Sequence, residues 1–356
     1  MNNNKKRKYP ILEGAITPTV IRMTLPSIVG MLGIMIFNIV DTYFVGQLGS
    51  VELAAISFTF PVVMILGSLV HGIGTASMTL FSKAAGQNNF EREKVLATST
   101  LTLGITISVI MSLLGFILIQ PLFTTMGADD QLLPYIVDYM TIWFMGAGFM
   151  VIPMLGDSIL RGLGDTFTPA FVMMTAALLN IVLDPLLIFG IGPFPAMGIR
   201  GAALATVVSR GMTAVVSILI QVFREHLLTF RGFTISGLWG SWKQLFHIGL
   251  PNSAVKAITP LGTAFFTAIL ARFGYQVVAG FGVATKLESI FLALVNAFSI
   301  TTIVFVGQNL GAGNFGRTRR GIRTIVTILF GLGLGVAVFF FFGGKVLAAL
   351  FNEDPW

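Results

Sequence analysis

"IVTILFGLGLGVAVFFFFG", residues Ile325–Gly343, carries no charge and does not alternate polar with apolar side chains. A helix needs roughly 20 apolar residues to cross a bilayer. A membrane β-strand is about half as long and alternates between its two faces. The stretch therefore reads as a membrane helix and argues against a barrel. Similar runs recur along the chain. Of its 356 residues, 55% are hydrophobic and 10% are charged, against about 25% charged in soluble domains. Mean hydropathy is +0.88. The 40 glycines and 14 prolines suit membrane helices, where neighbours re-satisfy freed backbone groups.

Hydropathy and turn signals predict nine helices, near 20–46, 53–80, 95–122, 133–155, 166–190, 197–223, 245–271, 278–305 and 321–350. Breaks fall at "VGQLGS", "QPLFTTMGADD" and "FGIGPFPAMG", where Gly, Pro or acidic residues end helices. The expected class is all-α, a polytopic transmembrane protein of the cell membrane surrounded by membrane lipid. Loop charge sets the orientation. With the N-terminus cytoplasmic, the inner loops hold Lys5, Lys6, Arg7 and Lys8, then Lys83, Arg92 and Lys94, then Arg161. They continue with Arg224, Arg231 and Lys243, and finally Arg317, Arg319, Arg320 and Arg323. These are 15 of the 22 basic residues. The outer side holds Glu52, Asp129, Asp130, Glu353 and Asp354, with Arg200 and Arg272 nearby. The net charge of +7 is thus dispersed by topology, and no nucleic-acid partner is expected.

The chain repeats itself at an offset of 225 residues. Leu25-Pro-Ser returns as Leu250-Pro-Asn, Thr42 as Thr267, Gly49 as Gly274 and Ala54 as Ala279. "GQNNFER" at Gly86–Arg92 aligns with "GAGNFGR" at Gly311–Arg317, with Gly86, Asn89, Phe90 and Arg92 all matched. Six helices precede the second copy. An even number returns the chain to its starting side, so the copies are parallel and related by an axis along the membrane normal. The expected division is a six-helix lobe over 1–223, a cytoplasmic linker over 224–244 and a partial three-helix lobe over 245–356. Three further helices would complete the second copy, supplied by a missing C-terminal segment or by a second chain.

Two carboxylates fall inside predicted helices. Asp41 lies in "FNIVDTYF" and Asp184 in "LLNIVLDPLLIFG". Both helices run outward, so the two reach a similar depth in one lobe. A carboxylate in apolar surroundings is neutralised by a proton, an ion or a partner. Asn38 precedes Asp41 by three residues and Asn180 precedes Asp184 by four, spacings that share a helix face. Their oxygens suit Na⁺ or a protonation site. The bland alternative is that each Asp caps a kink, since Pro185 follows Asp184 and Pro26 interrupts the first helix. Asp138, Tyr139, Arg210, Lys256, Lys286 and Glu288 are weaker buried candidates. There is no cysteine, and His71, His226 and His247 form no ligand motif. No phosphate-binding loop or nucleophile elbow appears, so neither an enzyme nor direct nucleotide-driven transport is indicated, and no cofactor is expected.

Together "VDTYFVGQLG", "ELAAISFTFPV", "KAAGQNNFER", "ILRGLGDTFTPA", "LNIVLDPLLIFG" and "VGQNLGAGNFGR" resemble the multidrug and toxic compound extrusion (MATE) family, over about residues 14 to 354. The resemblance implies twelve helices in two lobes and export of organic cations or other amphipathic xenobiotics in exchange for H⁺ or Na⁺. It assigns the coupling cation to Asp41, Asn180 and Asp184. It gives Pro26 a role in bending the first helix and Tyr139 a place in the site's network. A threonine frequent in that site falls here at Ala202, and Thr206, one turn on, stands in. The seventh helix, "LPNSAVKAITPLGTAFFTAIL", lacks the Glu of the NorM branch and looks DinF-like. Two other classes remain open: a flippase for lipid-linked intermediates, which Arg210, Lys256 and Lys286 would serve, and a non-transporting structural protein or inactive fragment.

Overall fold

The computed structural model describes residues 11–228, 235–273 and 275–349. Ten α-helices account for most of them. In chain order these are α1 (Ile16–Gly46), α2 (Ser50–Gly86), α3 (Phe90–Thr125), α4 (Leu133–Met145) and α5 (Ala147–Gly162). Then follow α6 (Phe167–Phe189), α7 (Ile199–Leu219), α8 (Ile235–Leu270), α9 (Tyr275–Gly311) and α10 (Phe315–Ala349). Among the described residues seven helices are long and apolar enough to cross a membrane, and the bent pair α4–α5 makes an eighth. The remaining predicted crossing is the helix α8. It carries His247, Asn252, Ser253 and Lys256 within its length. The basic cluster Lys5–Lys8, Arg231, Glu353 and Asp354 lie outside the described residues.

Two boundaries differ most from expectation. The predicted helix over 133–155 is two helices bent by 50°. Gly146 takes φ −85°, ψ 5° between them, the bridge conformation that ends regular helix geometry. Ser112 Oγ donates to the Phe144 carbonyl at 2.6 Å beside the bend. Its second half runs on to Gly162, so Arg161 sits in the last turn of a helix and not in a loop. At the other boundary α8 starts ten residues early, at Ile235, inside the stretch expected as linker. The extra turns dock on α3: Trp242 Nε1 donates to the Ser99 carbonyl at 3.0 Å, and Arg92 donates to Gln244 at 2.6 Å.

The duplication is built into the packing. α2 and α9 start and stop 225 positions apart. Where they meet, Gly86 lies against the Gln308 carbonyl and Gly311 against the Lys83 carbonyl. Lys83 and Gln308 are repeat equivalents, as are Gly86 and Gly311. Gly307 packs on Ser82, again its own equivalent. The contact maps onto itself when the copies are exchanged, as a parallel repeat about an axis along these helices requires. Only glycine permits backbones this close, because any Cβ at 86 or 311 overlaps a main-chain carbonyl.

The end of the bundle where α1 begins is termed the near end, and the opposite end the far end. The described hydrogen bonds between α1–α7 and α8–α10 lie in the near half or at mid-depth. They include Thr24–Thr301 at 2.8 Å, Gln308 Nε2 to the Gly162 carbonyl at 3.0 Å and Ser253 Oγ to the Leu69 carbonyl at 3.2 Å. Arg317 adds bonds to the carbonyls of Ile11, Glu13 and Gly14. Toward the far end Phe60 and Met64 of α2, and Ile258, Leu261 and Phe265 of α8, are exposed. The two unequal lobes are fastened at the near end.

Candidate functional site

α1 and α6 pack side by side in the same direction. Gly30 meets Ala170 and, about one turn further, Gly33 meets Met174. Extending that register places Asp41 and Asp184 within about a turn of each other. The two carboxylates are close enough to interact electrostatically, and Tyr139 of α4 interacts with both. Asp184 is 0% exposed, Asn180 1%, and Tyr139 and Thr206 each 8%. Asn180 Nδ2 points at Thr206 Oγ1, 3.5 Å away on α7. Asp41 Oδ1, Asn180 Oδ1 and both Asp184 oxygens are buried without a hydrogen-bond partner. A buried acceptor left unpaired costs about 1–3 kcal/mol. Four together within about one helical turn create a demand for positive charge or protons.

Pro185 and Pro26 lie inside α6 and α1. Neither has an N–H, so the carbonyls of Ile181 and Arg22 lose their i−4 bonds while the helices continue. Asn38 does not join the cluster. It is exposed, and its backbone carbonyl accepts from Thr42 Oγ1 at 2.7 Å. A three-residue step leaves it around the helix from Asp41, toward the surface. Asp138 is tied to Arg200 at 2.7 Å, a pair at the α4–α7 surface. Lys256 donates to Asn296 at 2.9 Å. Glu288 is exposed, and the Lys286 side chain lies outside those described.

Two layers flank the polar one; of their residues, sequence reading had singled out Arg210 as a buried candidate but not the layers themselves. One helical turn toward the far end, Val45, Ile188 and Ala202 pack together, 0%, 1% and 0% exposed. They stand four residues from Asp41, Asp184 and Thr206 respectively, so each helix of the site contributes one apolar residue to the same lid. Phe44 packs against this lid and meets the Phe189 ring edge-on at 6.3 Å. Ala202 is therefore a lid residue, and Thr206 supplies the hydroxyl below it. One turn toward the near end lie Phe37 and Arg210, the guanidinium 5.8 Å from the ring. The spacing of four on three helices was visible in the sequence. That the three helices share one level was not.

Lobes related by a parallel repeat and fastened at one end, with carboxylates embedded at similar depth, form the architecture of secondary transporters. The comparisons agree. The family model MatE matches residues 26–186 and 251–355, two segments that begin 225 residues apart. The "FAD transporter" of Shewanella oneidensis is 38% identical over 352 residues, covering 98% of this chain and 77% of that protein. The "Probable multidrug resistance protein YoeA" of Bacillus subtilis is 28% identical over 312 residues, 86% and 67% of the two chains. A solved outward-facing conformation of a multidrug resistance MATE family transporter superposes with a TM-score of 0.88. It is 26% identical, over 96% of this chain and 76% of that one. The chain belongs to the MatE family of secondary active multidrug efflux antiporters.

Proposed function

We propose that the chain exports amphipathic small molecules across the cell membrane in exchange for H⁺ or Na⁺, and that Asp41, Asn180 and Asp184 are the coupling site. The observation that carries this reading is the set of four buried oxygens without a hydrogen-bond partner, gathered within about one turn of α1 and α6. Every donor there is an oxygen, which suits a proton or a hard cation. Two carboxylates so close hold protons or an ion as a coupled unit. Tyr139 and Thr206 orient the cluster, and the Val45–Ile188–Ala202 layer narrows access to it from the far side.

The near end is assigned to the cytoplasm, as loop charge suggests, so the present conformation is the outward-facing one. An ion entering from outside neutralises the carboxylates and relaxes α1 against α6, near Pro26 and Pro185. Substrate leaves, and the near-end contacts between α2 and α9 part. Coupling requires that ion and substrate bind the two conformations with different affinities. The lack of an acidic residue in α8 favours a DinF-like reading, in which coupling rests on the first lobe. The "FAD transporter" relative supports a substrate range that reaches beyond organic cations.

The test is ion-gradient-driven substrate uptake into inverted vesicles or proteoliposomes, with Asp41→Asn and Asp184→Asn. Both variants are expected to lose gradient-driven flux. Unchanged flux in both overturns the site, and flux that responds to neither a pH nor a Na⁺ gradient overturns antiport.

A further inference from the structure

Beneath the coupling site the first lobe carries basic side chains that its mechanism does not use. Arg161 of α5 and Arg210 of α7 lie inside membrane-spanning helices. Among the described residues neither has a carboxylate at ion-pair distance. Arg161 reaches only the Met173 sulfur, at 3.5 Å, and its Nε is buried without a partner. Arg210 has only the Phe37 ring. Asp157 is the one acid that both feel, so the pair carries surplus positive charge. Lys256 of α8 extends the patch to the α2–α8 surface, where the neutral imidazole of His71 on α2 stands within reach of it and of Arg161 as a hydrogen-bonding group. Both His71 and Lys256 are exposed.

A narrow cavity of about 10 Å³ adjoins Arg210, lined also by Phe37, Met173, Thr206 and Ser209. It has room for one water-sized atom. Ser209 is 3% exposed, and its hydroxyl has no partner. An ionised side chain held within a membrane is costly and marks a ligand or ion path when nothing in the protein pairs with it. Arginine forks match phosphate oxygens in pairs, and a serine hydroxyl adds a donor.

We infer that Arg161, Arg210 and Ser209, with His71 and Lys256 at the lobe boundary, bind the phosphate group of an anionic, nucleotide-like amphiphile on its way out. The inference rests on the export reading and narrows its substrate class. A phosphoryl oxygen fills the cavity while the rest of the phosphate meets the two guanidiniums. A cationic drug would be repelled from this patch. Arg210 lies one turn from Thr206, which Asn180 contacts, so an anion here also lies next to the coupling layer.

The probes are FAD, FMN and riboflavin, which keep one ring system and change only the phosphate. Binding to the purified full chain in detergent is read from flavin fluorescence. FAD and FMN are expected to bind, with riboflavin weaker by about tenfold or more, the scale of one charge-assisted hydrogen bond. Arg210→Gln and Arg161→Gln should each weaken FAD by a similar factor, and Arg210→Lys should restore part of it. Equal binding of riboflavin and FAD, absence of FAD binding, or unchanged FAD binding in well-folded Gln variants overturns the inference. If the variants do not fold, the comparison among the three flavins on the unaltered chain still decides. The assay needs no ion gradient, so its failure is separable from failure of antiport. Gradient-driven export of a cationic dye without flavin discrimination removes only the phosphate site. Flavin discrimination without gradient-driven flux removes only antiport.

Discussion

Replacing Gly86 by alanine is expected to shift the protein away from the conformation described here. The added Cβ overlaps both the oxygen and the carbon of the Gln308 carbonyl. These are backbone atoms of a packed helix, so they cannot rotate aside as a side chain would. Overpacking of this kind costs about 1–3 kcal/mol. The cost falls only on the state in which α2 and α9 touch at the near end, because parting the lobes removes the contact. The ratio of near-closed to near-open molecules should therefore fall by roughly 5- to 150-fold. Gly311→Ala, which meets the Lys83 carbonyl, should do the same by pseudo-symmetry. Gly67→Ala is the control: nothing lies within 4 Å of a Cβ there, and alanine improves helix propensity. The chain has no cysteine, so single engineered thiols at the two ends report accessibility to a membrane-impermeant maleimide without background. Near-end labelling should rise and far-end labelling fall in Gly86→Ala and Gly311→Ala but not in Gly67→Ala. Identical labelling in all three would refute both the closed contact and the rocking motion inferred from it.

Asp184→Asn is expected to stop gradient-driven flux while leaving thermal stability equal or higher, because it removes a buried carboxylate that has no partner; a collapse in Tm would mean that the group is structural. Val45→Ala and Ile188→Ala thin the apolar lid, each at a stability cost of about 1–4 kcal/mol, and should raise passive ion leak into dye-loaded liposomes in the absence of substrate. No rise in leak would show that the layer is not the seal. Arg317→Gln removes the guanidinium bonds to the carbonyls of Ile11, Glu13 and Gly14, and should speed proteolysis near Ile11 in detergent. Unchanged cleavage would mean that packing of Ile11 alone holds the segment.

The sequence by itself determined the solvent, the repeat and the identity of the two aspartates. Uncharged runs such as Ile325–Gly343 admit only a membrane helix, since a chain in lipid must satisfy its backbone within each segment. The 225-residue offset predicted a parallel duplication, because loops matched in kind carried matched topology. Asp41 and Asp184 stood out because charge is rare and costly in such surroundings. Tertiary structure alone decided which residues share a level. Helix periodicity reports one face at a time and carries no relation between helices. Packing of α1, α6 and α7 made Val45, Ile188 and Ala202 a lid, turned Asn38 outward and set Thr206 against Asn180. The bend at Gly146 lengthened the fourth span and carried Arg161 from an expected loop into a helix, near Asp157. Distant charges become a site only when packing sets them beside one another, and the sequence does not state that distance.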